Sequence, residues 1–387
     1  MIVPADAGSA ACQECGACDS RCMLTGAVPG MSPRRMVRLL RLAEEGAVRE
    51  SGFAWACTLC RRCTEDCPAG VRMDRVTRAL RSRMTADGLA PKDLAEGIRV
   101  SLEMGNNSGI SAQDFRETVE WLGEELGSAC GDPAATLPLD VEGADILLVP
   151  NPREILSLPQ LLIATARVLR SAGESWTLGS GAIDVTNWAH YTGDASAERA
   201  IGRRILDEAA RLRVKRILAT ECGHGYRILR QDVAEWFPGE TLPGVVSVPE
   251  LFASYVEAKR IALDPARNPD PVTYHDPCNL GRKAGVTEEP RAVLRAAASR
   301  LVEMEPGRRL AWCCGGGGGA GQIGAQSKVR IAAGARKADQ IRATCARVVV
   351  TSCQNCRQQI EDLAKKHGEK WEARTVAATV ANALVEG

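Results

Sequence analysis

Two short cysteine runs constrain this 387-residue chain more than any other feature. Cys12, Cys15, Cys18 and Cys22 follow the spacing C-x2-C-x2-C-x3-C, and Cys57, Cys60, Cys63 and Cys67 repeat it before Pro68. Three cysteines three apart wrap one corner of a cubane in a tight loop, with backbone N–H groups turned toward the sulfurs. The fourth cysteine sits on the departing helix and reaches the other cluster. That logic assigns Cys12, Cys15, Cys18 and Cys67 to one [4Fe-4S] cubane, and Cys57, Cys60, Cys63 and Cys22 to a second. Crossed ligation also predicts that the two clusters lie close together. Zinc sites use two C-x2-C pairs per metal, not a triple with a lone fourth cysteine ahead of proline.

Sixteen cysteines in all would suit a secreted disulfide scaffold, but nothing else in the chain does. The opening MIVPADAGSA lacks the basic and apolar regions of a secretory signal. No apolar run approaches the roughly 18 residues of a membrane span. The expected location is therefore cytoplasmic, where dense cysteine reads as metal binding. Basic and acidic residues number 49 and 48, a balance that points away from nucleic acid and from anionic membrane surfaces.

Between the runs, Ser32-Pro33 opens a predicted helix as N-cap and first-turn proline, with Met36, Leu39, Leu40 and Ala43 as its apolar stripe. Arg34, Arg35, Arg38 and Arg41 fall largely off that stripe. A second arginine-rich helix, with Arg72, Arg75, Arg78, Arg81 and Arg83, follows Cys67. Both read as solvated faces that also offset the negative charge of thiolate-ligated clusters.

Beyond residue 140 the pattern changes. Ala144–Val149 and Val214–Thr220 read as strands, and Pro159–Arg170 and Ala197–Leu212 as helices. The series recurs as strands at Val272–Tyr274 and Arg347–Thr351 and helices at Pro290–Leu301 and Lys328–Thr344. Alternation of this kind argues for parallel-sheet α/β units. The segment Arg216-Ile217-Leu218-Ala219-Thr220-Glu221-Cys222 lines up with Arg347-Val348-Val349-Val350-Thr351-Ser352-Cys353, and Pro152-Arg153 with Pro277-Cys278. An internal duplication follows, in which the second copy keeps its cysteines and the first has lost nearly all of them. The expected domains are 1–100, a twin-cluster helical unit; 101–140, a helical linker; 141–265, a degenerate first α/β copy; and 266–387, an intact second copy.

That second copy reads His275-Asp276-Pro277-Cys278, then Cys313-Cys314-Gly315, then Cys353-Gln354-Asn355-Cys356. Each cysteine group follows a predicted strand, where loops at the carboxyl edge of a parallel sheet converge. Gly315–Gly319 lacks the following Lys-Ser/Thr of a phosphate loop, so its glycines read as close backbone approach to a cluster, with N–H donation to its sulfurs.

The C, CC, C-x2-C series at long intervals resembles the cysteine-rich CCG domain of the heterodisulfide reductase family. The N-terminal module resembles the small iron–sulfur subunit of that family, and the whole chain a fusion of the two, as in D-type subunits. The phrases YHDPCNLGR, CCGGGGG and TECGHGYR come closest to K-type subunits of the sulfite-reduction-associated membrane complex. The resemblance implies an α + α/β fold, in which an N-terminal all-α ferredoxin-like domain precedes a duplicated parallel-sheet CCG domain. It implies that Cys278, Cys313, Cys314, Cys353 and Cys356 hold one noncubane [4Fe-4S] cluster, on which a disulfide is reductively cleaved or formed.

The first copy departs from the fullest family pattern. Cys222 survives, Gly225 takes the place of its partner, and Thr186-Asn187-Trp188 lacks paired cysteines. Cys222 and His224 are candidate catalytic residues. They would bind substrate sulfur or deliver a proton to a leaving thiolate, since histidine titrates in the right range. The alternative is a buried thiol and a histidine satisfied by backbone. His275 and Asp276 are expected to orient the Cys278 loop, and Arg282 and Arg330 to form surface salt bridges or to meet an anionic substrate or partner. His190, Cys130, Cys345 and His367 read as structural.

No flavin or nicotinamide motif appears, so the redox partner is another protein, either a membrane haem- or quinone-binding subunit or a flavoprotein. The chain would then sit peripherally on the inner face of the cytoplasmic membrane through that partner. The substrate is a thiol/disulfide couple on a small coenzyme or a protein cysteine. The competing reading is a pure electron relay in a flavin-dependent, quinone-linked dehydrogenase of the glycolate or glycerol-3-phosphate type.

Overall fold

The computed structural model describes residues 7–385; residues 1–6, part of the segment read as lacking a secretory signal, lie outside it. The two cysteine loops have the same backbone. Glu14 and Gly16 in the first, and Leu59 and Arg61 in the second, all take left-handed φ angles of 52°, 83°, 54° and 64°. Three of the four are not glycine, so the loops hold a conformation that ordinary residues resist, as a chain wrapping a compact group must. Short helices Ala17–Arg21 and Arg62–Glu65 leave the loops and pack on each other.

Helix Pro33–Arg41 begins at Ser32, whose Oγ accepts the Arg35 N–H (3.1 Å), and it buries Met36 and Val37. Helix Met73–Ala86 is less simple than its charge pattern suggested. Arg81 is fully buried. Its Nε donates to Ala54 O (2.7 Å) and its Nη2 to Cys57 O (2.6 Å). Its Nη1 donates to Tyr191 O (2.9 Å) and Gly318 O (2.7 Å). The expected solvated face is therefore, at this position, a junction among three parts of the chain.

Two four-stranded parallel sheets follow. The first has the order β2-β1-β3-β4, from β1 (Ile146–Val149), β2 (Trp176–Thr177), β3 (Arg216–Ala219) and β4 (Gly244–Ser247). The second has the order β6-β5-β7-β8, from β5 (Val272–Tyr274), β6 (Leu301–Val302), β7 (Val348–Val350) and β8 (Glu372–Arg374). The register carries the duplication down to single residues. Leu147 pairs with Ile217, and Val272 pairs with Val348, so Pro152-Arg153 and Pro277-Cys278 occupy equivalent places.

The two copies meet reciprocally. Helix Pro159–Ser171 of the first packs on Val376–Ala383 of the second, while Val248–Glu257 of the first packs on Glu289–Ala297 of the second. One apolar core runs through this interface, from Ile146 and Leu218 to Val272 and Val350. Burial on that scale fixes the copies face to face. Helix Ala112–Cys130 adds Phe115, Val119, Leu122 and Leu126 to the same core.

Two helices and four strands differ from the sequence expectation. The helix expected over Pro290–Leu301 spans Glu289–Ala297, because Asn268 Nδ2 binds Ala297 O (2.7 Å) and Asn268 O accepts the Ser299 N–H (3.1 Å), which frees Leu301–Val302 to pair as β6. The helix expected over Lys328–Thr344 is divided at Gly334, which lies so close to Leu363 and Gln359 that a Cβ would sit within 3 Å of both. Strands β2, β4, β6 and β8 went unrecognised. Among the described residues, no helix is long and apolar enough to cross a membrane.

Candidate functional site

Loops at the carboxyl ends of β5, β6 and β7 bring Cys278, Cys313, Cys314, Cys353 and Cys356 to one cavity, and all five are buried. Cys278 opens a π turn (Cys278–Lys283), Cys313 and Cys314 lie in a loop, and Cys353 caps helix Gln354–His367. Cys314 Sγ meets Cys356 Sγ at 3.3 Å, and Cys278, Cys313 and Cys353 lie close enough to perturb the thiols of their neighbours in the same cavity. Hydrogen bonds from Cys313 and Cys356 hold the Cys314 thiol well below the usual range, and His275 lowers it further.

Gly315 N and Gly316 N donate to the Cys313 and Cys314 sulfurs (3.4 and 3.5 Å), as the glycine run suggested. His275 has both ring nitrogens buried without a hydrogen-bond partner, while its imidazole lies within 4.8 Å of Cys314 and Cys356. Soft sulfur donors, N–H groups aimed at sulfur and an orphaned imidazole fit an iron–sulfur cluster at this place.

In the N-terminal module, Cys12, Cys15, Cys18 and Cys67 line a second cavity, joined by Cys63. Cys18 feels the charges of Cys12 and Cys67, and Cys22 those of Cys57 and Cys60. The chain therefore carries each fourth cysteine to the other run. Burial first pushes Cys18 and Cys22 up to about 12, helped at Cys18 by Asp19 and then Cys12 and Cys67, and at Cys22 by Cys57 and Cys60. Thiolates there require a bound cation, and binding it expels protons.

The second run abuts the five-cysteine cavity. Cys60 and Cys313 lie close enough to perturb each other's thiols, and Cys313 Sγ lies 3.5 Å from Thr58 Oγ1. Arg282 clamps the junction from within, where Nη1 reaches Cys60 O (2.8 Å), Nε reaches Arg309 O (2.7 Å) and Nη2 reaches Ala311 O. It is neither the surface ion pair nor the anion contact expected of it. Arg330 does form an ion pair, with Asp362 at 2.6 Å.

Opposite the cavity, the first copy leaves a cleft of about 300 Å³. Cys222, His224 and Cys353 line it, and His224 and Cys353 also line the five-cysteine cavity. The degenerate edge thus faces the cysteine-rich one across the pseudo-twofold. Gly225 cannot be a cysteine here, since a Cβ would fall 2.3 Å from Val185 O.

Cys222 is a neutral thiol, pushed far up by burial and then by Cys353, and its sulfur lies 3.3 Å from His224 Nδ1. His224 Nε2 accepts the Asn187 N–H (3.3 Å), which places the ring proton on Nδ1, directed at that sulfur. Burial, then Arg227 and Lys283, lowers the His224 pKa to about 3. The expectation that it titrates near neutrality is corrected: the imidazole stays neutral and both nitrogens are committed.

Asp276 holds the Cys278 loop as expected, by accepting from buried Arg291 (2.8 and 3.0 Å) and from Arg308 N (2.7 Å). His190 is structural, bonded to Glu198 (2.5 Å) and Arg227 (2.8 Å). Cys345 is exposed, and Cys130 and His367 lie outside both sites. Sequence reasoning missed Lys337, fully buried behind the cavity, with Nζ 3.6 Å from Met304 Sδ. Burial lowers it to about 8, against the pull of Asp276, Cys314, Cys313 and Cys356. The one available signal was its helical face, shared at i±4 with Ala333 and Ile341.

Residues 8–71 match the 4Fe-4S dicluster domain, and residues 272–361 match the cysteine-rich domain called CCG. The chain is 29% identical over 416 residues to a probable membrane-anchored ferredoxin of Chromohalobacter salexigens, covering 97% of this chain and 60% of that protein. It is 28% identical over 325 residues to the Hdr-like menaquinol oxidoreductase iron-sulfur subunit of Archaeoglobus profundus (72% and 57%). It is 24% identical over 386 residues to the D-type subunit of the dihydromethanophenazine:CoB–CoM heterodisulfide reductase of Methanosarcina barkeri (91% and 88%). The chain thus spans less than two thirds of the first two relatives.

Proposed function

We propose that this chain, an iron–sulfur oxidoreductase subunit of the heterodisulfide reductase-like family, exchanges electrons between a redox partner and a thiol/disulfide couple bound in the cleft between its two α/β copies. The observation that carries this is the shared wall of cleft and cavity, where Cys353 and His224 face both spaces. The balance is RSSR + 2e⁻ + 2H⁺ → 2RSH, or its reverse. Clusters bound at the three cysteine sets, two cubanes and one noncubane, would supply one-electron carriers and a sulfur-reactive site.

The residues do the rest. Contact between Cys60 and Cys313 makes the second run the near neighbour of the site and leaves the first run as the side facing a donor. Both protons of that balance come from solvent reaching the cleft, while Cys222, kept as S–H and held by His224 Nδ1–H, offers a departing sulfur a hydrogen bond at the cleft end. The partner is a membrane haem- or quinone-binding subunit, with the chain peripheral on the inner face of the cytoplasmic membrane.

The test is anaerobic purification with an iron count and EPR after oxidation in the presence of thiol. Roughly twelve irons, and a thiol-sensitive signal lost in Cys313→Ala while the cubane signals persist, is the expected result. Two relatives, a probable membrane-anchored ferredoxin and an Hdr-like menaquinol oxidoreductase iron-sulfur subunit, support a second reading as a relay without its own substrate. About eight irons, no thiol-sensitive signal and a co-purifying flavoprotein would establish that reading instead.

A further inference from the structure

The cleft between the copies holds a charge imbalance that the disulfide reading leaves unexplained. Arg153 lines it, at the place that the sheet register gives to Cys278 in the second copy. Its backbone N–H is taken by Asn151 Oδ1 (3.1 Å), but among the described residues its guanidinium enters no hydrogen bond or ion pair. No carboxylate is among the described residues that line the cleft.

The nearest buried acids are spent elsewhere. Asp184 accepts from Asn107 N (2.9 Å) and Thr186 N (2.7 Å), and Glu154 from Asn151 N (2.9 Å) and Gln354 Nε2 (3.0 Å). The rest of the wall is mostly neutral and hydrogen-bonding, with the amides of Asn107, Asn151, Gln322, Gln354 and Asn355 prominent. His224, held neutral by its burial, adds no charge.

A cleft with one uncompensated guanidinium selects one oxyanion, and planar carboxylates match its fork. Gln354 is committed to Glu154 and Arg357, and Asn107 to Thr186 and Ser108. Gln322 Oε1, however, is buried without a partner and the Asn355 amide enters no hydrogen bond among the described residues, so the wall keeps groups that suit an amide. A thiol carrying several phosphates or sulfonates would need further cations, and this cleft offers none. We propose that Arg153 is a specificity-determining residue, which holds a single carboxylate on one arm of an amide-bearing disulfide while the sulfurs lie at the Cys222–Cys353 end. This rests on the disulfide reading above. The duplication explains how the position became available: where the second copy spends its loop residue on a thiol, the first copy is free to present a cation.

A matched pair of probes tests it. The disulfide of N-acetylcysteine carries an amide and a carboxylate on each arm, whereas the disulfide of N-acetylcysteine amide has no charge. With the whole holoprotein and reduced viologen as electron donor, kcat/KM should favour the carboxylate by about 10- to 100-fold, the range of a charge-assisted hydrogen bond. Most of the preference should lie in KM. Arg153→Gln should bring the ratio near one with iron content and EPR unchanged, and Arg153→Lys should restore part of it.

Binding is read separately by titrating the two corresponding thiols into the oxidised holoprotein and following EPR and calorimetric heat. Turnover without carboxylate preference, or a preference that survives in Arg153→Gln, overturns the assignment and leaves the disulfide reading standing. Carboxylate-selective binding lost in Arg153→Gln, without turnover of either disulfide, upholds Arg153 and overturns disulfide reduction. No binding and no turnover sinks both.

Discussion

At the residue scale, buried carboxylates between the two copies carry much of the pH response. Glu221 follows β3 and accepts the N–H groups of Val376 (2.7 Å) and Ala377 (3.2 Å) from the other copy. Burial nevertheless raises its pKa to about 8. A folded-state pKa above the unfolded value of 4.5 means that the native chain holds a proton which the unfolded chain releases. That stability is complete below pH 4.5 and is lost as pH climbs toward 8, at a total on the order of 5 kcal/mol. Glu221→Gln should therefore gain on the wild type between about pH 5 and 8.5, measured as the difference in their melting midpoints. A constant difference would remove Glu221 as the source. At this scale the cysteines were legible because their spacing is itself geometry. Lys337, Arg81 and Arg282 were not, since a lone basic residue on a helix looks alike in sequence whether it meets water or backbone carbonyls.

At the element scale, the glycine run between β6 and β7 docks against the second cysteine loop. Gly318, at φ 63°, lies so near that a Cβ would fall 2.6 Å from the Thr58 carbonyl carbon and 2.7 Å from Cys57 O, whereas at Gly317 it would meet Thr58 O at 3.4 Å. Gly318→Ala should cost at least about 2 kcal/mol, from left-handed strain and overlap together. It should also slow reduction of the five-cysteine site relative to the N-terminal clusters in stopped-flow measurements. Gly317→Ala should change neither by much, and equal effects would show that the run is merely flexible. The α/β alternation was legible because β1 and β7 are wholly apolar runs at sheet centres, and β3 and β5 each depart from that at one residue, Arg216 and Thr273. Edge strands β2 and β6 have two residues each and β8 begins with Glu372, so periodicity had too little to work on.

At the scale of the whole molecule, the helical module and the two α/β copies form one folded body. Val76, Leu80 and Leu94 share a core with Tyr191, Cys313 and Ile323. Arg81 stitches that body together by satisfying carbonyls from all three parts. Arg81→Met leaves those carbonyls buried and unmet, so it should cost at least about 3 kcal/mol in chemical denaturation, with Arg81→Lys intermediate. An unchanged midpoint would mean that water replaces the guanidinium. The duplication was legible from aligned strands, but the burial of the helical module against both copies was not, because long-range packing leaves no period in sequence. The clamp that Arg282 makes on Cys60, Arg309 and Ala311 has a dynamic consequence. Backbone held by a buried guanidinium does not swing, so the tunnelling gap between the second cysteine loop and Cys313 keeps one width. Many redox proteins wait for a hinged domain to close before each electron crosses; on the route proposed for this chain, the rate of that step should not change with solvent viscosity.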